Sequence, residues 1–264
     1  MIHSPVIKET IRENLTQPFF LMAALVGLAS VLLFSFGVEF RYENDILTGM
    51  SFLGTMSESH VQFVSREYVK VFSGLLGNAL MFLFIIGGSY THTGMLQSPL
   101  TSVSLTRPLS RSGLFLSKFL GLWTFVTALV LVLVAVLWSI AFYKTSGNIS
   151  AGVLLASLSF SLEFGIIFAC SALIAMLVEN PTGVAILSLA VYFFVGRLVG
   201  LTESLPPIVQ ALSLLLPPTG AMNLVTTGFI VSGEADFEVF LRGFPHAVIS
   251  LGAGAYLFHR KDLR

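Results

Sequence analysis

Residues Phe119–Tyr143 read FLGLWTFVTALVLVLVAVLWSIAFY, twenty-five positions without a charged side chain. At 1.5 Å per helical residue the stretch is about 37 Å long, more than the roughly 30 Å of hydrocarbon that a spanning helix must cross. Trp123 and Trp138 sit fifteen positions apart, about 22 Å along a helix, as residues of an aromatic belt would. The stretch is predicted to cross a membrane, and the rest of the chain has the same character. Of 264 residues 55% are apolar and only 11% charged, with a mean hydropathy of +0.88, which places the chain in a bilayer rather than among soluble domains. Net charge is zero, so no bulk basicity points to nucleic acid as a partner. The single cysteine, Cys170, cannot form an internal disulfide and is expected as a small buried filler.

Four more runs are long enough to span: Phe19–Gly37, Val71–Tyr90, Ala151–Val178 and Gly183–Leu201. The run Ala151–Val178, about 42 Å as a helix, must tilt or extend into water. A shorter run, Phe244–Phe258, contains Pro245 and His246 and completes a plan of six spans. The first run lacks a small-x-small cleavage site, so it is expected to be retained. An even number of spans puts both termini on one side. Lys8, Arg12, Arg107, Arg111, Lys118, Arg260, Lys261 and Arg264 would then share that side, against Arg41, Arg66, Lys70, Lys144 and Arg242 opposite. Positive charge follows the cytoplasm, so both termini are expected to be cytoplasmic.

The expected fold is therefore an all-α integral membrane protein, a single domain over residues 1–264, with three structured pieces outside the spans. In SPVIKETIREN, Ser4 is a candidate cap before Pro5, and Ile7, Ile11 and Leu15 recur every four residues opposite Lys8, Glu9, Arg12 and Glu13. An interfacial helix over residues 1–18 follows. SESHVQFVSREYVK has Ser59 and Gln62 at capping-box spacing and suggests a second surface helix. PPIVQALSLLLPP, Pro206–Pro218, is apolar but too short to cross between its proline pairs, so residues 202–238 are expected as a re-entrant or interfacial hairpin on the outer side.

Sequence signatures of catalysis are missing. Five scattered histidines form no HExxH pair, and Met50, Met56 and His60 lack compact ligand spacing. Neither G-x-S-x-G nor a P-loop occurs, so the chain is expected to be no enzyme by itself, and if ATP is used another subunit binds it. Two charges fall within spans, Glu163 and Arg197, and intramembrane ionisable groups are functional candidates by default. Glu163 shares a helical face with Gly152, Ala156, Ser159 and Cys170, a small and polar stripe suited to close helix packing or to a path. Arg197 lies four residues from the outer end of its span, near enough to reach the headgroups or Glu203. Glu163, Ser159 and Arg197 are the candidate path residues.

The connection between the second and third spans, residues 91–118, carries Arg107, Arg111 and Lys118 and no acid. Ser98 and Pro99 can start a short helix with Leu100 and Val103 on one face, Arg107-Pro108 ends it, and Ser110 can cap the helix that follows. The plain alternative is a solvated loop whose cations only set topology.

LTRPLSRSGLFLSKFLG, Leu105–Gly121, resembles a motif of the six-span permease subunits of ABC-2-type transporters, among them the permease associated with nitrous-oxide reductase maturation. That motif has a leucine-rich stretch, Arg or Tyr followed by Pro, a small residue, Arg, then Lys-Phe-x-Gly entering the third span. LSLLLPPTGAMNLV and the basic terminus AYLFHRKDLR are similar to later parts of the family pattern, in order and at its spacing. SYTHTGMLQSPLTSVSL stands where members often carry a glutamate-rich step followed by Gly-Thr. The resemblance implies an inner-membrane permease subunit, paired with a second copy or a paralogue. It also implies a separate ATP-binding subunit carrying ATP and Mg, met at Leu100, Val103, Arg107, Pro108 and Arg111 and at the amino-terminal helix. An ion-coupled secondary transporter using Glu163, or a membrane scaffold, are the rival readings.

Overall fold

The computed structural model describes residues 3–43, 46–52, 55–58, 77–97, 110–145, 152–195, 217–218 and 238–260. These form α1 (Ser4–Thr16), α2 (Pro18–Gly37), β1 (Val38–Glu43), β2 (Ile46–Phe52), β3 (Thr55–Glu58), α3 (Asn78–Gln97), α4 (Arg111–Lys144), α5 (Gly152–Val178), α6 (Pro181–Ala190) and α7 (Glu238–Arg260). A π-helical turn, Val191–Val195, continues α6. The described chain is mostly helical. Among the described residues, four helical segments are long and apolar enough to cross a membrane: Pro18–Gly37, Asn78–Leu96, Arg111–Lys144 and Ser157–Val178. They are the segments of a membrane-embedded protein. About a third or less of the α2 and α4 windows is buried, 33% and 28%, against 67% in α3 and in α5. The last two are the central pair.

Local chemistry sets the element ends. Gln17 is extended (φ −72°, ψ 134°), as a residue preceding proline must be, and this separates α1 from α2. Asn180 Oδ1 accepts from the N–H groups of Thr182 and Gly183 at 2.9 and 3.4 Å, and Pro181 follows at the first helical position, so a two-residue turn reverses α5 into α6. Glu179 in that turn has φ 59°, the left-handed conformation that ends many helices.

Ring and glycine contacts give the helix directions. Phe20 meets Phe125 at 5.2 Å and Gly27 meets Leu133, so α2 and α4 run parallel. Phe84 meets Phe164 at 5.2 Å and Gly88 meets Phe168, so α3 and α5 run parallel too. Ile166 packs on Ala247 and Cys170 Sγ lies 3.6 Å from Ser250 Oγ, which makes α7 parallel to α5. Trp123 donates its indole N–H to Ser161 O at 2.7 Å and lies against Gly165. That polar tip is used inside the bundle, between α4 and α5, rather than at a headgroup belt.

Several expectations change. The all-helical plan omits an antiparallel sheet, β1-β2-β3, with a bulge at Arg41/Tyr42. Val38, Phe40 and Tyr42 alternate toward the core, the two-residue period of a strand, which a search for long apolar runs passes over. Lys144, at the end of α4, donates to the carbonyls of Phe34, Ser35 and Val38, and Tyr42 Oη donates to Lys144 O at 2.6 Å. The sheet end of the bundle is thereby tied together. Ser4 is helical rather than the cap, a place taken by His3. In the 91–118 connection the described parts belong to helices, since α3 continues to Gln97 and α4 begins at Arg111. Helix α7 starts six residues before Phe244 and includes Arg242, which pairs with Glu238 at 2.6 Å in the open. The surface helix around Ser59, and the 202–238 hairpin apart from Pro217, Pro218 and Glu238, lie outside the described residues.

Candidate functional site

Helix α1 lies across one end of the bundle and is held by side chains on two spans. His3 N donates to Ser117 Oγ at 2.8 Å, and Lys118 Nζ lies 2.7 Å from Glu13 Oε2. Thr91 Oγ1 donates to Asn14 Oδ1 at 2.9 Å and accepts from Gln17 Nε2 at 3.1 Å. A Cβ on Gly121 would come within 2.8 Å of Thr10 Cβ and 3.1 Å of Ile7 O, so only glycine lets the two helices approach so closely. The buried face of α1 is Val6, Thr10 and Asn14, while Leu15 is exposed. The predicted apolar stripe of Ile7, Ile11 and Leu15 is thus not the face that docks. It stays at the rim, where an interfacial helix meets lipid.

These contacts give Lys118, Phe119 and Gly121 of the Lys-Phe-x-Gly sequence distinct tasks. Lys118 pairs with α1, Gly121 admits it, and Phe119 joins the main core. Ser110 caps α4 as expected, accepting from Gly113 N at 3.1 Å. Arg111 Nη1 donates to His259 O at 3.3 Å, joining the start of α4 to the end of α7. Thr91 and Ser117 flank residues 98–109, so α1 spans both sides of that connection. Leu100, Val103, Arg107, Pro108 and Arg197 lie outside the described residues.

Glu163 is wholly buried in α5, and neither carboxyl oxygen has a hydrogen-bond partner among the described residues. Ser159, one turn earlier on the same side, is also buried with its Oγ unpartnered. Cys170 is half-buried against Ser250. An unpartnered buried carboxyl is costly, which marks Glu163 as the most exceptional group in the central pair. A cavity of about 450 Å³ opens between α4, α5 and α7, lined by apolar side chains such as Phe119, Trp123, Ile166, Phe244 and Leu251, and Glu163 is not among its walls.

Sequence reasoning passed over His92, Ser171 and Ser188. Each is buried, and His92 Nδ1 and Nε2, Ser171 Oγ and Ser188 Oγ lack partners among the described residues. The signal available was Thr91-His92-Thr93, a polar triplet inside a helix that otherwise reads as apolar.

The chain matches no model of a known protein family, and no curated protein matches it.

Proposed function

We propose that the chain is the membrane-spanning permease subunit of an ABC-2-type transporter. It sits in the cytoplasmic membrane with six spans and both termini inside, pairs with a second permease, and moves substrate outward. A separate ATP-binding subunit supplies ATP and Mg. One observation supports this above the others: α1 is fastened to α3 through Thr91 and to α4 through Ser117, Lys118 and Gly121, so it bridges the two sides of the 98–109 connection. A load applied there would reach both spans together. Leu100, Val103, Arg107, Pro108 and Arg111 form the docking element in this reading, and Glu163 and Ser159, with Arg197, line the path.

The test is whether a neighbouring gene encodes a protein with a P-loop and, with that protein co-purified, ATP hydrolysis measured before and after Arg107 and Arg111 are both changed to Ala. Wild-type chain is expected to bind and stimulate the ATPase, and the double variant to bind with stimulation lost. A wild-type chain that neither binds nor alters the ATPase ends this reading.

The burial of Glu163 without a partner favours a second reading, an ion-coupled transporter that works without an ATPase. It predicts proton-coupled uptake by the purified chain alone, abolished by Glu163→Gln.

A further inference from the structure

Hydroxyls in these helices usually satisfy themselves on their own backbone. Ser30, Ser35, Ser89, Thr93, Ser139 and Ser161 each donate to the carbonyl four residues earlier, at 2.7–2.9 Å, the arrangement that hides a hydroxyl in an apolar setting. Ser171 and Ser188 do not, although both are buried. His92 has two ring nitrogens without partners among the described residues, of which one donates and one accepts when neutral.

Helix register brings the three together. Phe84 and Gly88 of α3 face Phe164 and Phe168 of α5, a constant offset of eighty positions that sets His92, one turn after Gly88, level with Ala172. Ser171 follows Phe164 and Phe168 at heptad spacing, on the side of α5 turned to α3. Across the two-residue turn 179–180, positions equally distant from it are opposite one another, which pairs Ser171 with Ser188. The neighbouring layer agrees. Met95, Ala175, Met176 and Val184 share one buried cluster at the α1 end, and His92, Ser171 and Ser188 each lie one turn deeper along their own helices.

We propose that His92, Ser171 and Ser188 enclose a hydrated chamber inside the bundle, sealed from the α1 end by the layer of Met95, Met176 and Val184. Its ligand is water, one or two molecules, each bridging the imidazole and the hydroxyls. Buried water normally makes about three hydrogen bonds to such otherwise unsatisfied groups, and native interiors leave few polar atoms unpaired. Phe84, Phe164 and Phe168 wall off the opposite side. The apolar layer acts as a gate: widening it connects the chamber to the aqueous phase. Such a chamber would serve either energy source, because it depends only on side-chain placement in α3, α5 and α6.

The experiment uses the full chain carrying Cys170→Ser, in lipid nanodiscs, with Ser188→Cys and aminoethyl methanethiosulfonate as a small cationic probe that reacts with the thiolate. Val126→Cys, at a fully buried position of the apolar core, is the dry comparator. Behind the closed layer Ser188→Cys is expected to react about as slowly as Val126→Cys, and Val184→Ala should raise its rate, but not that of Val126→Cys, by about tenfold or more, since only a hydrated thiol ionises. His92→Leu should bring that rate back toward the comparator. Met95→Ala serves as a second way of widening the layer, and each variant is first shown monodisperse by size exclusion. A Ser188→Cys rate equal to Val126→Cys in both the native and widened backgrounds overturns the chamber. A high rate that neither Val184→Ala nor Met95→Ala changes overturns the seal.

Discussion

Lys118 Nζ stands 2.7 Å from Glu13 Oε2, and the lysine side chain is only 12% exposed against 35% for the glutamate. The pair joins helix α1 to the second turn of α4, beside the close approach at Gly121.

Because one partner is largely shielded, the pair should be worth more than a loose surface contact, about 1 kcal/mol. Glu13→Gln and Lys118→Met should each lower stability by that order and expose α1 to limited proteolysis. The exchanged double variant, Glu13→Lys with Lys118→Glu, should recover part of the loss. A double-mutant cycle on thermal unfolding in detergent checks this; zero coupling would show that the contacts at Gly121, His3 and Thr91 hold the helix without the ion pair.

Gly121 and Gly94 offer a contrast within one protein. A Cβ at Gly121 collides with Thr10 and the Ile7 carbonyl, whereas one at Gly94 meets nothing within 4 Å. Gly121→Val should cost about 1–3 kcal/mol through overpacking, and Gly94→Ala should stabilise by up to about 1 kcal/mol through helix propensity. Parallel melting curves of the two variants test the difference in sign.

Lys144 hydrogen-bonds the carbonyls at the end of α2, Ser35 and Val38 among them. Lys144→Met keeps the stem and removes the donors, leaving those carbonyls without their charged partner. A loss of about 1–3 kcal/mol is expected, with hydrogen exchange rising first in Val38–Glu43. Exchange confined to other segments would show that Tyr42 carries the tie instead.

Glu163→Met replaces an unpartnered buried carboxyl by an apolar side chain of similar length. It should raise stability by about 1–3 kcal/mol, since a desolvated polar group without a partner is removed. If the proposed permease role holds, function should fall at the same time, read as ATP hydrolysis by the complex with an ATP-binding subunit, in the trade expected where a site keeps a costly group. A Glu163→Met protein that melts earlier than wild type would reveal a partner for this carboxyl.

The bilayer character, four of the spanning segments and the Ser110 cap were legible in the residues, because apolar run length and capping chemistry are local properties. The sheet was missed since Val38, Phe40 and Tyr42 alternate only briefly and follow an apolar helix without a break. The docking face of α1 was not legible for a related reason. Periodicity finds the apolar stripe, but Val6, Thr10 and Asn14 face protein because Gly121, Thr91 and Ser117 offer room and hydrogen bonds there.

Glu163 stood out in the sequence as a charge within a span, and its burial follows from α5 being central. His92, Ser171 and Ser188 did not stand out. A serine in a membrane helix is unremarkable while it can bond its own backbone, and only the assembled helices show that Ser171 and Ser188 are buried without doing so. By itself the sequence determined what each segment could bury. At what depth each buried polar group came to lie was decided by the register between α3, α5 and α6, because that register arises from packing Phe84, Gly88, Phe164 and Phe168 and from the tight turn at Glu179-Asn180.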